Sequence, residues 1–106
     1  MPFSADRLFR RYRETGDPRL LGRVFDRTAP ELLRVALHLT RDRHRAEDAL
    51  QTTFLTAIEK AQLYDPRRPL LPWLLTILAN HARELHRRDR RRAIGTAAAA
   101  PAAGAT

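Results

Sequence analysis

The stretch that decides the fold is 70-LLPWLLTILANHARELHRRDRRR-92, because its residues divide between two faces of one helix. At about 100° per residue, Leu74, Leu78, His81 and Leu85 share one apolar arc with Ile77 at its edge, and such an arc faces a core. On the other side Thr76, Asn80, Arg83 and Arg87 line up at i, i+4, i+7 and i+11, with Trp73 flanking the start of the row and Arg90 and Arg91 its end. That row suits something anionic. Pro72 fits the first turn, where its missing N–H leaves nothing unpaired, and the closing arginines suit the negative end of the helix dipole.

Working outward, Leu63 to Leu71, LYDPRRPLL, reads as a stiff loop: Pro66 and Pro69 cannot continue a helix, and Arg67 and Arg68 make it basic. Before it, a helix over about Arg43 to Gln62 carries an inward stripe of Ala46, Leu50, Thr53, Phe54, Ala57, Ile58 and Ala61. Its opposite side holds Asp48, Gln51, Leu55 and Glu59, a row of acceptors around one leucine. A solvated face with a stray leucine and a docking patch with an apolar centre both fit that row. Further upstream, Ser4 caps a first helix over Ala5 to Thr15 with Leu8, Phe9 and Tyr12 inward, and Gly16 ends it. Asp17 and Pro18 start the next, with Leu20, Leu21, Val24 and Phe25 inward. Pro30 should break or kink it near Thr28 before Leu32, Leu33, Ala36 and Leu39 resume the pattern, leaving one bent helix or two. No stretch alternates as a strand does, so the fold class is all-α: a small bundle of four to five helices over residues 1–92. Residues 93–106 are rich in Ala, Gly and Pro and read as a linker or disordered tail.

Charge is unevenly spread along the chain of 106 residues, whose formal net charge is +8. Residues 67 to 106 carry eight arginines against two acids, whereas residues 41 to 66 carry four bases and five acids, which implies two surfaces with two partners. The absence of cysteine excludes a disulfide scaffold, a thiolate nucleophile and a cysteine metal cage, and fits a reducing cytoplasm. Leu70 to Ala79 is the longest nearly apolar run and is far short of a membrane span, and the start MPFSADRLFR lacks a signal peptide's apolar stretch. A cytoplasmic protein that engages no membrane is expected.

Catalysis finds no support. There is no GxSxG, P-loop, dinucleotide turn or HExxH, and four glycines leave little with which to cradle a phosphate. His81 and His86 diverge by about 140° on a helix and cannot share a metal as an i, i+4 pair does; Glu47 and Asp48 are adjacent and diverge too. Neither an enzyme, nor a metal site, nor a cofactor is expected. Nucleic-acid binding fits better, since a row of Asn and Arg fed by a basic loop combines base-reading donors with phosphate neutralisers. Trp73 could serve as a stacking platform, although its place beside Leu70 and Leu74 favours a core role.

The run 45-RAEDALQTTFLTAIEKAQLYDPRRPLLPWLLTILANHARELHRR-88 resembles region 2 of the extracytoplasmic-function (ECF) sigma factors. The points of resemblance are an acidic AED, a Gln three residues on, an aromatic, a short loop, and a Trp-led helix with Ala-Asn and a basic end. The resemblance covers about Ala5 to Arg92 and implies a helical bundle that docks on the clamp helices of the largest RNA polymerase subunit. It also implies capture of the melted non-template strand of the promoter minus-ten element, and an anti-sigma factor as a possible further partner. By position it assigns Asp48, Gln51, Thr52 and Leu55 to polymerase docking. Asn80, Arg83, Arg87, Thr76, Arg67 and Arg68 fall to DNA, with Leu63 to Leu71 as the loop that pockets a flipped base. Thr52 stands where the family often has Glu, and Leu70 where it often has an aromatic. The family's second, helix-turn-helix domain does not occur within these residues, so the tail reads as the start of an interdomain linker. The alternatives are a helical protein-interaction module without sequence-specific DNA binding and a non-specific basic nucleic-acid binder.

Overall fold

The computed structural model describes residues 4–104, with side chains placed through residue 95. Four α-helices and one 3-10 turn make up these residues: α1 (Ala5–Thr15), α2 (Pro18–Thr40), α3 (Arg43–Glu59), the turn Ala61–Leu63, and α4 (Leu70–Gly104). No described helix is long and apolar enough to cross a membrane.

Local chemistry sets the boundaries. Ser4 Oγ accepts from the Arg7 N–H at 3.2 Å, and Asp17 accepts from Arg19 N–H at 2.9 Å, each satisfying a donor that a helix start leaves open. Gly16, at φ 71°, closes α1 by donating to Tyr12 O at 2.7 Å. Arg41 closes α2 in the same left-handed conformation, at φ 55°, without glycine's freedom there. Asp42 follows at once as the cap of α3, accepting from Arg45 N–H at 3.1 Å, so two long helices are joined by a two-residue turn.

Pro30 does not divide α2, which is continuous from Pro18 to Thr40. The proline is exposed, so the carbonyl of Asp26 that loses its donor lies on the solvent side, where water can satisfy it. On the opposite side Val24, Thr28 and Leu32 are buried one turn apart, and the Thr28 hydroxyl donates to Val24 O at 2.9 Å. Packing on both sides of the proline outweighs the lost bond.

The core gathers Leu8 and Phe9 of α1, Val24, Leu32 and Ala36 of α2, and Leu70, Leu74 and Leu78 of α4 around a spine of small residues on α3. That spine is Ala46, Ala49, Thr53 and Ala57, all essentially inaccessible, with the Thr53 hydroxyl donating to Ala49 O at 2.6 Å. Small side chains let α3 approach α2 and α4 together, so the buried line is rotated from the expected stripe. Ala49 joins it, Leu50 and Phe54 are half-buried, and Ile58 is 37% exposed. Leu39, expected inward near the end of α2, is 48% exposed. Phe25 and Phe54 stack with centroids 3.9 Å apart and join α2 to α3.

The third helix stops at Glu59, ahead of the expected Gln62. The last helix, conversely, runs past Arg92 into the alanine-rich segment read as linker or disordered tail, and residues 93–104 are helical. Alanine has the highest intrinsic helix propensity, and a helix already nucleated extends readily into such a segment. Residues 105 and 106 of that tail lie outside the described residues.

Leu78 is wholly buried at the centre of the α4 contact, so Leu78→Ala should lower stability by about 2–5 kcal/mol in urea unfolding, while Leu39→Ala should change it far less. Equal losses would contradict the placement of Leu39.

Candidate nucleic-acid interface

Burying Leu74, Ile77, Leu78 and Ala82 turns the opposite side of α4 outward, and Thr76, Asn80, Arg83 and Arg87 are all exposed there. His81, which the sequence places in the apolar arc, is half-buried, and its Nε2 lies 2.9 Å from Thr56 Oγ1 of α3. Burial, and then the charge of Lys60, push its imidazole below the usual histidine range.

Two depressions lie along the exposed side. One, of about 490 Å³, is lined by Asn80, Arg83, His86, Arg87 and Arg90. The other, of about 410 Å³, lies under the loop and is lined by Leu63, Tyr64, Asp65, Arg68, Pro69, Pro72, Trp73 and Thr76. Thr76 belongs to the loop pocket and Asn80, one turn on, to the groove, so the two adjoin along the helix. Trp73 both packs in the core and borders the pocket. Its ring packs 5.8 Å from Phe9 and 5.1 Å from Tyr64, yet it remains half-exposed and lines the pocket.

The arginines are held in place by few carboxylates. Glu84 pairs with Arg87 at 2.5 Å, Arg91 at 3.3 Å and Arg88 at 3.4 Å, and the charge of Arg87 is foremost in holding its carboxyl below the usual range. Asp65 does the same in the loop, with Arg67 at 3.1 Å and Arg68 at 3.8 Å; its hydrogen bonds from Arg67 depress it most. Both sets lie at the surface, where ion pairs contribute little to stability, so a phosphate can displace them. The Asn80 side-chain oxygen accepts from the Arg83 guanidinium one turn on, which holds the two side chains together on the exposed side. Asp89, the one acid within RRDRRR, instead turns toward α3 and pairs with Arg45 at 2.5 Å. Among the described residues Asp89 is thus directed away from the groove, while Glu84 remains beside it, paired with Arg87.

On α3 the other predicted row is displayed as expected: Asp48, Gln51, Thr52, Leu55 and Glu59 are all exposed, with Leu55 at 59%. Among the described residues, Asp48, Gln51 and Thr52 make no side-chain hydrogen bond or ion pair. This row is some distance in sequence from the groove and shares no lining residue with it. Among the described residues no group of three His, Asp or Glu side chains is placed to hold a metal.

Sequence reasoning missed His86 as a groove residue, and although it took Leu63 to Leu71 as the pocket loop it did not single out Tyr64 or Asp65. Tyr64 is 2% exposed and its hydroxyl donates to Arg68 O, closing the loop on itself; burial pushes its phenol above the ordinary value. A tyrosine preceding Asp-Pro carries no local signal for such a closure, because its partner is a backbone carbonyl.

Fold and surface together define a small all-α domain with an arginine-lined helix face set beside a loop pocket. The Sigma-70 region 2 family matches residues 24–92, most of the chain, and the chain belongs to that family. It is 40% identical over 67 residues to the RNA polymerase sigma factor CarQ of Myxococcus xanthus, covering 63% of this chain and 38% of that protein. To the RNA polymerase sigma factor CnrH of Cupriavidus metallidurans it is 31% identical over 86 residues, covering 81% of this chain and 45% of CnrH. The ECF RNA polymerase sigma factor SigL of Mycobacterium tuberculosis is 39% identical over 62 residues, 58% of this chain and 35% of SigL. The chain thus spans less than half the length of these curated relatives. No solved structure matches it significantly.

A lowered folded pKa means that the native state favours neutral His81, so its contribution to stability is present above the ordinary value of 6.5 and is lost as pH falls through the lower folded value. Between about pH 7.5 and about pH 5.5 the urea midpoint should fall more steeply for the wild type than for His81→Gln. Parallel curves would show that His81 has no part in the pH dependence.

Proposed function

We propose that this chain is the part of a transcription initiation factor that docks on RNA polymerase core and captures the melted non-template strand of a promoter minus-ten element. The observation that carries the reading is the adjacency of the loop pocket to the Asn80–Arg90 groove on one exposed side of α4. Membership of the Sigma-70 region 2 family supports it, and so do relatives named as RNA polymerase sigma factors.

The chemistry is capture, with no bond made or broken. A base leaving the stack loses a few kcal/mol of stacking and pairing, which a pocket can offset by hydrogen bonds to the base edge and contact with an aromatic face. Trp73 offers such a face at the pocket wall, and Asn80, whose amide both donates and accepts, reads a neighbouring base edge. Arg83 and Arg87, with Arg67 and Arg68 from the loop and Thr76 between, hold the sugar–phosphate backbone in register. Asp48, Gln51, Thr52 and Leu55 form the polymerase-facing patch, a leucine ringed by polar groups, suited to the clamp helices of the largest subunit. An anti-sigma factor is a further partner, and the site of action is the cytoplasm. The domain works as a binding module and not as an enzyme.

Selection from a random single-stranded pool, followed by fluorescence anisotropy with and without core polymerase, tests the DNA half. Asn80→Ala should lose preference at one position, by about 1–3 kcal/mol, whereas Arg87→Ala should weaken all sequences alike and lower the salt slope by about 1. A wild-type chain that selects no motif while still binding in a salt-dependent way would be a non-specific cation.

For the docking half, Leu55→Arg should abolish association with core polymerase while leaving the thermal transition nearly unchanged, because Leu55 already faces solvent. Undiminished association would remove α3 from the interface. Association with another protein but never with polymerase would favour the interaction-module reading.

A further inference from the structure

One face of α1 makes no contribution to the core and yet reaches the pocket loop at four points. Asp6, Arg10 and Arg13 stand at i, i+4 and i+7, so they share one side of the helix. Asp6 Oδ2 accepts from the Leu70 N–H at 2.9 Å, across 64 residues, and satisfies a donor that the start of α4 leaves open. Arg10 donates to Pro66 O at 3.3 Å. Arg13 donates through Nε to Ala61 O at 2.7 Å and through a terminal nitrogen to Gln62 O at 3.3 Å, and Gln62 answers by donating to Arg13 O at 3.1 Å. The Arg13 guanidinium also lies 5.9 Å from the centre of the Tyr64 ring, which Phe9 meets edge-on at 5.4 Å.

The loop needs such external partners. Pro66 and Pro69 have no N–H to offer, and the backbone bonds that hold the loop are few, from Leu63 N–H to Lys60 O, Tyr64 N–H to Ala61 O and Arg68 N–H to Asp65 O. Helix packing of Leu8 and Phe9 explains why α1 is present but not why two arginines aim at backbone carbonyls instead of at carboxylates. Moreover, α1 precedes residues 24–92, the segment that the family match covers.

We propose that Asp6, Arg10 and Arg13 are positioning residues that hold the 61–70 loop in its base-accepting shape before DNA arrives. The proposal rests on the capture reading above. None of the three lines the loop pocket, so they act through Tyr64, Arg68 and the start of α4. A loop already ordered loses less conformational freedom when it closes on a base, and its affinity for that base is higher accordingly.

The test uses the whole chain and the selected single-stranded oligonucleotide, intact and with each position abasic in turn. Wild type should prefer the intact strand at the pocketed position. Arg13→Ala and Asp6→Ala should reduce that preference about tenfold while binding the abasic strand as wild type does, and Asp6→Asn, which keeps an acceptor oxygen for Leu70 N–H, should restore most of it. Amide exchange should quicken at Arg68 and Leu70 in the alanine variants and stay unchanged in α2 and α3, which shows that the bundle is intact. If Arg13→Ala fails to fold, the contrast between Asp6→Ala and Asp6→Asn decides. Variants that retain the full preference for the intact strand, or that leave exchange in the loop unaltered, overturn the positioning role and leave the capture reading standing. A wild-type chain that binds intact and abasic strands equally at every position overturns capture itself.

Discussion

Leu74 and Leu78, 1% and 0% exposed, pin one side of a long helix into the bundle, and the orientation of the opposite, exposed side of α4 follows from that contact. A helix cannot rotate about its axis without exposing those leucines, each worth roughly 1.5–3 kcal/mol of burial. Their burial therefore determines where Thr76, Asn80, Arg83 and Arg87 point. Among the described residues the exposed side of α4 meets no other helix, and its side chains engage neighbours on α4 itself: Thr76 donates to Pro72 O, Arg83 to Asn80 and Arg87 to Glu84.

The distribution of carboxylates extends the same logic to charge. Asp89 is drawn to Arg45 on α3, away from the groove, while Glu84 and Asp65 each spread one negative charge among several arginines at the surface. An unliganded cluster of like charges is unfavourable, and these exposed pairs relieve it without locking it. Two surfaces of different character thus sit on different helices: a cationic side on α4 and a leucine-centred polar patch on α3. The alanine spine of α3 makes this possible, since it buries small residues in the core and presents its longer side chains outward.

Periodicity was a good guide wherever a helix had neighbours on one side only. It located Leu74 and Leu78 inward, Asn80 and the arginines outward, and Leu55 in the open among Asp48, Gln51 and Thr52. At Leu39 and Ile58 it erred, because it shows which side of a helix an apolar residue lies on and not whether another element reaches that far. It also passed over Ala49, whose small side chain gives a weak signal although the backbone there is closely packed. The Pro66–Pro69 loop could be anticipated from its prolines, and the family resemblance pointed to Leu63 to Leu71 as a pocket; the closure of Tyr64 onto Arg68 O and its packing against Trp73 could not be anticipated.

By itself the sequence determined the helix order, the caps at Ser4 and Asp17, the two-faced character of the last helix and the excess of arginine there. These depend on residues within a turn or two of one another, so local spacing suffices to read them. Only the tertiary structure decided that Pro30 lies within an unbroken helix, that Asp89 leaves the groove for Arg45, and that Asp6, Arg10 and Arg13 grip a loop 48 to 64 residues away. The reason is physical: these outcomes turn on backbone carbonyls, an amide and a neighbouring helix brought close by folding, and a carbonyl is the same in every residue and leaves no mark in the sequence.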